Sequence, residues 1–356
     1  MKIVTFEVAT PLGPVKRIGV LIDGHQDGRI ADLTSSYAAY LEQETDEPTP
    51  VELAQLRTPP DMIGWLRGAH KSREAAEKAV HFIRRRLELG PSPVGTDGTK
   101  LVYLAGEVRL LSPIPRPRTL RDFSTYAEHM SRSDRQKEKK PHWYTHPPYY
   151  KGNVDNIVGP GDPIPYPYYT KKLDLELEVG VIVGKKGSDL SVEEARDCIA
   201  GYTILIDPSC RDGYEREPFG QTKRKDFCTA LGPCIVTRDE IDENNLKVKI
   251  TVDGEVWFEG NTGARRSFMP EHLLAYLSDN ETIFPGDVVG TGTLSLSCSM
   301  DHHRWIKTGQ TAVFEVEGIG RMTHTVVPGR HIVDHVSGMK GLIERPASLQ
   351  AKGSAD

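Results

Sequence analysis

The stretch 173-LDLELEVGVIVG-184 decides how the rest of the chain is read. Leu173, Leu175, Leu177 and Val179 share one parity and Asp174, Glu176 and Glu178 the other, which is the period-2 signature of a half-buried strand. Alternate residues of a strand project from one face with α-carbons roughly 6.5 to 7 Å apart, so the three carboxylates form one row of like charge. Beyond Gly180 the run is continuously apolar through Val181, Ile182 and Val183, which predicts a strand that continues into a covered core. Carboxylates held there require neutralisation. A hard divalent cation supplies it, since Mg2+, Mn2+ and Ca2+ prefer carboxylate and water oxygens and a rigid strand offers two ligands at once. The alternative from the local pattern is a solvated acidic face paired with Lys171 and Lys172.

The whole chain, at 356 residues, has room for one large domain and a smaller one with ample core. Its 45 basic and 50 acidic residues give a net charge of -5, which implies no general polyanion-binding surface and argues against nucleic acid as a partner. Cys198, Cys210, Cys228, Cys234 and Cys298 lack metal-ligand spacing and leave one unpaired. With no apolar leader at the start and no apolar run of bilayer length, the expectation is a reduced, cytoplasmic protein that does not enter a membrane.

Residues 1–112 read as a small leading domain, 113–344 as the main one and 345–356 as a flexible tail. In the leading part Lys2 to Val8, Arg17 to Ile22 and Arg29 to Leu33 are strand-like, and a loop rich in proline and acids covers Glu42 to Pro50. The clearest helix lies between Ser72 and Gly90, with Ala76, Ala79, Val80, Ile83 and Leu87 on one face, Ser72 as N-cap and Gly90 as stop. None of this offers catalytic chemistry, and His81 reads as packed or solvent-facing. The proline-rich segment Leu110 to Leu120 bridges into the second part.

Asp122 and His129 are seven apart in 121-RDFSTYAEHM-130, so a helix there would project both from one side, as metal ligand and general base or as a capping acid and a surface histidine. The charged, then aromatic and proline-rich, stretch 131–149 is a candidate flap over a pocket. Ser191 and Glu194 form a capping box for a short helix. Tyr202 to Ile206 is a buried-type strand delivering Asp207, which either completes an oxygen-rich metal site or pairs with Arg211; Arg211 is otherwise suited to a substrate carboxylate. Lys225 and Thr229 are polar in a core-like context, and Leu246 to Val256 is a hairpin turning at Asp253-Gly254. The segment 285-PGDVVGTGT-293 suggests a phosphate loop only weakly, because no GK[ST] follows. Asp301, His302 and His303 offer further ligands, though adjacent histidines on a strand face opposite ways.

In order and spacing, the ELE of 176–178, the D-x-x-x-R of Asp207 and Arg211, the K-x-F-x-T of Lys225 and Thr229, and PGDVV-x-TGT resemble the fumarylacetoacetate hydrolase family over roughly residues 110 to 330. The resemblance implies an α+β fold with a mixed β-roll or β-sandwich catalytic domain, a homodimer, and a divalent metal, Mg2+ or Mn2+ foremost with Ca2+ also compatible. It implies Asp122, Glu176, Glu178 and Asp207 as metal ligands and His129 as the catalytic histidine. Arg211 and Lys225 match the cationic groups beside the metal, and Tyr150, Tyr214 and Thr293 the substrate-facing positions. Two departures stand out. Short members of the family place the acid of the histidine dyad three residues after the histidine, where this chain has Arg132; longer members draw it from beyond TGT, where Asp301 is the best match and His302 its neighbour. Tyr214 replaces a substrate-contacting glutamine, which argues against fumarylacetoacetate itself.

The expected chemistry is metal-dependent hydrolysis of a carbon–carbon bond in a 1,3-dicarbonyl acid such as an acylpyruvate, with His129 as base and Asp301 as its orienting acid. Decarboxylation, isomerisation or hydration of a related keto acid is the first alternative, favoured if the dyad fails. A calcium-stabilised binding protein without catalysis is the second.

Overall fold

The acidic stretch forms a strand over Leu173–Val183, and all 11 residues are buried. This computed structural model describes residues 1–126, 129, 145–212, 221–263 and 266–330. The strand runs antiparallel to Ile199–Cys210 on one side and to Val288–Gly290 on the other. Central placement explains why the alternation does not end in a wet face: the leucine parity packs into the apolar core with Phe314, Met322 and Val248, and the acidic parity is covered by the polar groups described below. Each fully buried leucine or valine there contributes about 1.5–3 kcal/mol.

Among the described residues a 12-stranded sheet carries this core, in the order Val102–Leu104, Arg29–Asp32, Val15–Leu21, Lys2–Val8, Thr229–Thr237, Ile199–Cys210, Leu173–Val183, Val288–Gly290, Leu120–Phe123 and Tyr149–Lys151, with Arg109–Leu111 and Ile157–Val158 attached off that path. The leading strands join the central ones by antiparallel pairing of Lys2 with Val236 and Ile3 with Ile235. The pair Val288–Gly290 and Leu120–Phe123 is parallel, so the sheet is mixed and the fold α+β, as expected. A 5-stranded sheet, Glu255–Asn261, Lys247–Val252, Thr311–Val316, Gly320–Pro328 and Ile164–Tyr166, packs its apolar side into the same core. Its hairpin turns at Asp253 and Gly254 with φ of 50° and 83°, the positive pair a type I′ turn needs.

The helices depart from expectation in the leading part. Helix Leu33–Glu44 takes in the expected strand end at Leu33 and the first residues of the expected loop, and helix Pro50–Arg57 begins at that loop's last residue. The long helix spans Ala69–Leu89, so Ser72 is a buried residue of its first turn and not its N-cap, while Gly90 closes it as expected. Ala76, Ala79, Val80 and Ile83 are buried and His81 is exposed. The capping box at Ser191 is present, with Ser191 Oγ accepting from the Glu194 amide at 3.3 Å and Glu194 Oε2 accepting from the Ser191 amide at 2.9 Å. No described helix is long and apolar enough to cross a membrane. The expected tail and residues 131–144 of the expected flap lie outside the described residues.

Candidate active site

Strand register assembles the site. Glu176 pairs with Asp207 across the two central strands, Gly290 pairs with Gly180 on one side and Asp122 on the other, and Asp122 pairs with Tyr150. Asp122 is therefore on the strand Leu120–Phe123, and the expectation of a helix shared with His129 is corrected. Gly290 is required for space: a Cβ there would lie 2.7 Å from Glu178 Oε2 and crowd Asp122 Oδ1. Gly292, at φ 99°, brings its amide to Glu178 Oε2 at 2.8 Å, and Thr293 Oγ1 donates to Glu176 Oε1 at 2.7 Å. The glycine-rich stretch thus serves carboxylates and not a phosphate.

Glu176 is saturated with donors. Its Oε1 meets Arg211 Nη2 at 2.5 Å and His129 Nε2 at 3.1 Å; its Oε2 accepts from Lys225 Nζ at 2.8 Å and Ser209 Oγ at 2.6 Å. Burial works to raise its pKa, but Arg211, Lys225 and His129 together hold it well below the usual carboxylate range. Asp174 is equally well served, accepting from the Ser299 amide at 2.7 Å, the Met300 amide at 3.2 Å and Arg211 Nε at 2.8 Å. Arg211 therefore pairs with Asp174 and Glu176, not with Asp207, and Lys225, which bridges Glu176 and Asp207, does what Lys171 and Lys172 were offered for.

Asp122, Glu178 and Asp207 form the opposite environment. One oxygen from each lies within 4.8 Å of the others, all three residues are buried, and Asp122 Oδ1 and Asp207 Oδ1 are buried with no hydrogen-bond partner among the described residues. Burial first, then repulsion from neighbouring carboxylates, pushes Glu178 well above the carboxylate range; burial does the same to Asp207 against the pull of Lys225, and raises Asp122 as well. Tyr150 stands over this group with Lys225 Nζ 5.1 Å from its ring, and its phenol is pushed well above its usual range by burial and by Asp207 and Asp122.

His129 sits at the boundary of the two environments. Nδ1 faces Cys298 Sγ at 3.6 Å and Asp301 Oδ2 at 4.0 Å, and the Cys298 thiol donates to Asp301 Oδ2 at 3.2 Å. Burial lowers the imidazole pKa, yet Cys298, Asp301 and Glu176 more than offset it and hold it well above the ordinary value.

A hard divalent cation fits this donor set. An all-oxygen triad with orphaned buried oxygens is what such ions bind. The ion pairs agree: Arg211 and Lys225 pair with Asp174, Glu176 and Asp207, no described cation pairs with the buried Asp122 and Glu178, and a divalent ion would supply that charge.

Residues 118–327 match the family model for the C-terminal region of fumarylacetoacetate (FAA) hydrolase. The chain belongs to the fumarylacetoacetate hydrolase family. Within the family it is similar to a mitochondrial oxaloacetate tautomerase of Xenopus laevis, 30% identical over 256 residues that cover 69% of this chain and 78% of that protein. It is also similar to a human mitochondrial oxaloacetate tautomerase, 33% identical over 227 residues covering 62% and 70%. Among solved structures, the fumarylacetoacetate hydrolase of Exiguobacterium antarcticum superposes with a TM-score of 0.63 at 26% identity, covering 92% of this chain and all (100%) of that one. The maleylpyruvate hydrolase of Sphingobium sp. SYK-6, solved with manganese(II) and pyruvate, shares the fold with a TM-score of 0.64 at 21% identity, covering 93% and 100%.

The structure therefore brings together Asp122, His129, Tyr150, Glu176, Glu178, Asp207, Arg211, Lys225, Thr293 and Asp301, whereas Tyr214 lies outside the described residues. His302 Nε2 instead meets the Leu296 carbonyl at 2.8 Å, away from His129. Sequence reasoning missed Asp174 and Cys298 as parts of the site. Asp174 had a signal, since it shares the parity of Glu176; Cys298 had only its position three residues before Asp301.

Proposed function

We propose that the chain is a divalent-cation-dependent keto–enol tautomerase of a short 2-oxo dicarboxylic acid of the oxaloacetate type. The observation that carries this reading is the 4.0 Å separation of His129 Nδ1 from Asp301 Oδ2, with the Cys298 thiol at 3.6 Å from the same nitrogen. A histidine that activates water works best with its dyad acid in direct hydrogen-bond contact, at about 2.6–3.2 Å; at Nδ1 a thiol stands nearer than Asp301, and the acid in contact, Glu176, is at Nε2. Tautomerisation asks less: a proton leaves carbon and returns to oxygen, and no water attacks. The two similar oxaloacetate tautomerases support the same choice.

Asp122, Glu178 and Asp207 would hold the cation, with Glu176 between it and His129. When bound, the cation supplies the positive charge that stabilises an enolate oxygen and a neighbouring carboxylate. His129 carries the proton between carbon and oxygen, Arg211 and Lys225 keep Glu176 ionised, and the Tyr150 phenol, held protonated, donates to the substrate. Burial of every acid in the group excludes bulk water from the proton transfer.

Hydrolysis of a 1,3-dicarbonyl acid is the second reading, favoured by the 3.1 Å contact of His129 Nε2 with Glu176, an acid able to orient the imidazole. Following the ultraviolet enol absorbance of oxaloacetate separates them. The expected result is Mg2+- or Mn2+-dependent equilibration without carbon dioxide release, abolished by chelator and reduced about 10²–10⁴-fold in His129→Ala. Cleavage of an acylpyruvate to two acids, with no effect on oxaloacetate, would select the hydrolase.

A further inference from the structure

We infer that the chain carries a second cation site of different chemistry, formed by His129 Nδ1, Cys298 Sγ and Asp301 Oδ2, which captures a thiophilic divalent ion such as Zn2+ and takes the imidazole out of proton transfer. The three donor atoms stand 3.6 Å (Nδ1 to Sγ), 3.2 Å (Sγ to Oδ2) and 4.0 Å (Nδ1 to Oδ2) apart. Zinc bonds of about 2.0 Å to nitrogen and oxygen and about 2.3 Å to sulfur, at tetrahedral angles, place ligand atoms roughly 3.3–3.6 Å apart. The triad needs only small side-chain adjustments to meet that geometry.

The surroundings favour the same assignment. His129 Nε2 lies 3.1 Å from Glu176 Oε1, the carboxylate contact that a metal-bound imidazole ordinarily makes through its second nitrogen. Cys298 and Asp301 flank the first residues of the short turn Ser299–His302, which Asp174 braces through the Ser299 and Met300 amides at 2.7 and 3.2 Å. Two of the three ligands are thus held by a fixed turn. All three residues lie largely out of solvent, with the His129 side chain 11% exposed and that of Asp301 0% and Cys298 buried. The mixed nitrogen, sulfur and oxygen set suits Zn2+, whereas the oxygen triad of Asp122, Glu178 and Asp207 suits Mg2+ or Mn2+, so the two sites sort ions by softness. Binding expels the thiol proton to solvent.

The test uses the full chain with excess Mg2+ present and Co2+ as a spectroscopic substitute for Zn2+. One equivalent of Co2+ should produce a sulfur-to-cobalt charge-transfer band, which Zn2+ bleaches stoichiometrically. Cys298→Ser should abolish the band and Asp301→Asn should weaken Zn2+ binding by about 10–100-fold, while Asp122→Asn leaves the band in place. If Cys298→Ser does not fold, Asp301→Asn carries the test by its affinity change alone. Absence of the band in the unaltered chain, its survival in Cys298→Ser, or unchanged Zn2+ affinity in Asp301→Asn would overturn the site. Inhibition of turnover by Zn2+ rests on the tautomerase reading, but the band does not, so a chain that binds Co2+ through sulfur and turns over no keto acid would sink the function and leave the site standing.

Discussion

Glu176 and Glu178 lie two residues apart on one face of one strand, equally buried, and have opposite electrostatic fates. Five donors converge on Glu176 and hold it ionised. Glu178 has the Gly292 amide and a distant hydroxyl for donors and faces Asp122 and Asp207, so in the absence of a cation it favours the protonated state. Burial alone therefore does not define a metal ligand. On the proposed reading, Glu176, the compensated half of the pair and expected from the resemblance to be a metal ligand, instead positions Arg211, Lys225 and His129, and Glu178, the uncompensated half, is the residue of the row that would gain from a cation.

The largest expected effect comes from breaking the compensated half. Glu176→Gln leaves Arg211 and Lys225 as buried charges with too few acceptors, and the chain should lose about 3–5 kcal/mol of stability in urea titrations. An unchanged midpoint would mean that these cations are solvated and the contrast is false.

Breaking the other half should act in the opposite direction. Without metal, Glu178→Gln removes the cost of protonating a buried acid at neutral pH, and stability should rise by roughly 1–3 kcal/mol. The same variant should lose the thermal stabilisation of about 2.7 kcal/mol that Mn2+ at one hundred times its dissociation constant gives the unaltered chain. The pH dependence sharpens the point. In chelator, the raised folded pKa values of Glu178 and Asp207 mean that the folded chain holds more protons than the unfolded one, so their contribution is fully present only below the ordinary carboxylate range, about pH 4, and is lost as pH rises through the folded values. Glu176, held low, contributes above that range and loses its contribution as pH falls. Melting temperatures across pH should therefore show a smaller decline on the rising side in Glu178→Gln, where Asp207 remains, and a smaller one on the falling side in Glu176→Gln.

A smaller effect is expected from Gly290→Ala. The added methyl would displace Asp122 and Glu178, costing about 1–3 kcal/mol and weakening Mn2+ binding by about tenfold, as read by calorimetry. Parent-like affinity would show that the two carboxylates need not share that space to bind the ion.

Much of this was legible in the chain itself. Strict alternation marked the central strand, because period reports directly on which side chains share a face, and the family resemblance carried by ELE, Asp207 and Lys225 pointed to side chains that the structure brings together. What was hidden depends on contacts between distant segments. Asp32 ends a strand, caps the helix Leu33–Glu44 by accepting from the Ser35 amide at 2.8 Å, and pairs with Arg17, so no loop residues separate the two elements and the helix start is masked. The long helix begins at Ala69 with φ 48° after Gly68, a junction that a search for a serine cap passes over. Asp174 and Glu176 differ from Glu178 only in the partners that Ser299, Arg211, Lys225 and His129 bring from elsewhere in the chain, and no local pattern encodes those arrivals.

Anomalous diffraction from crystals of the chain grown with Mn2+ tests the central claim most directly. The account predicts one strong manganese peak enclosed by Asp122, Glu178 and Asp207. An empty triad, with manganese elsewhere or absent, would contradict it.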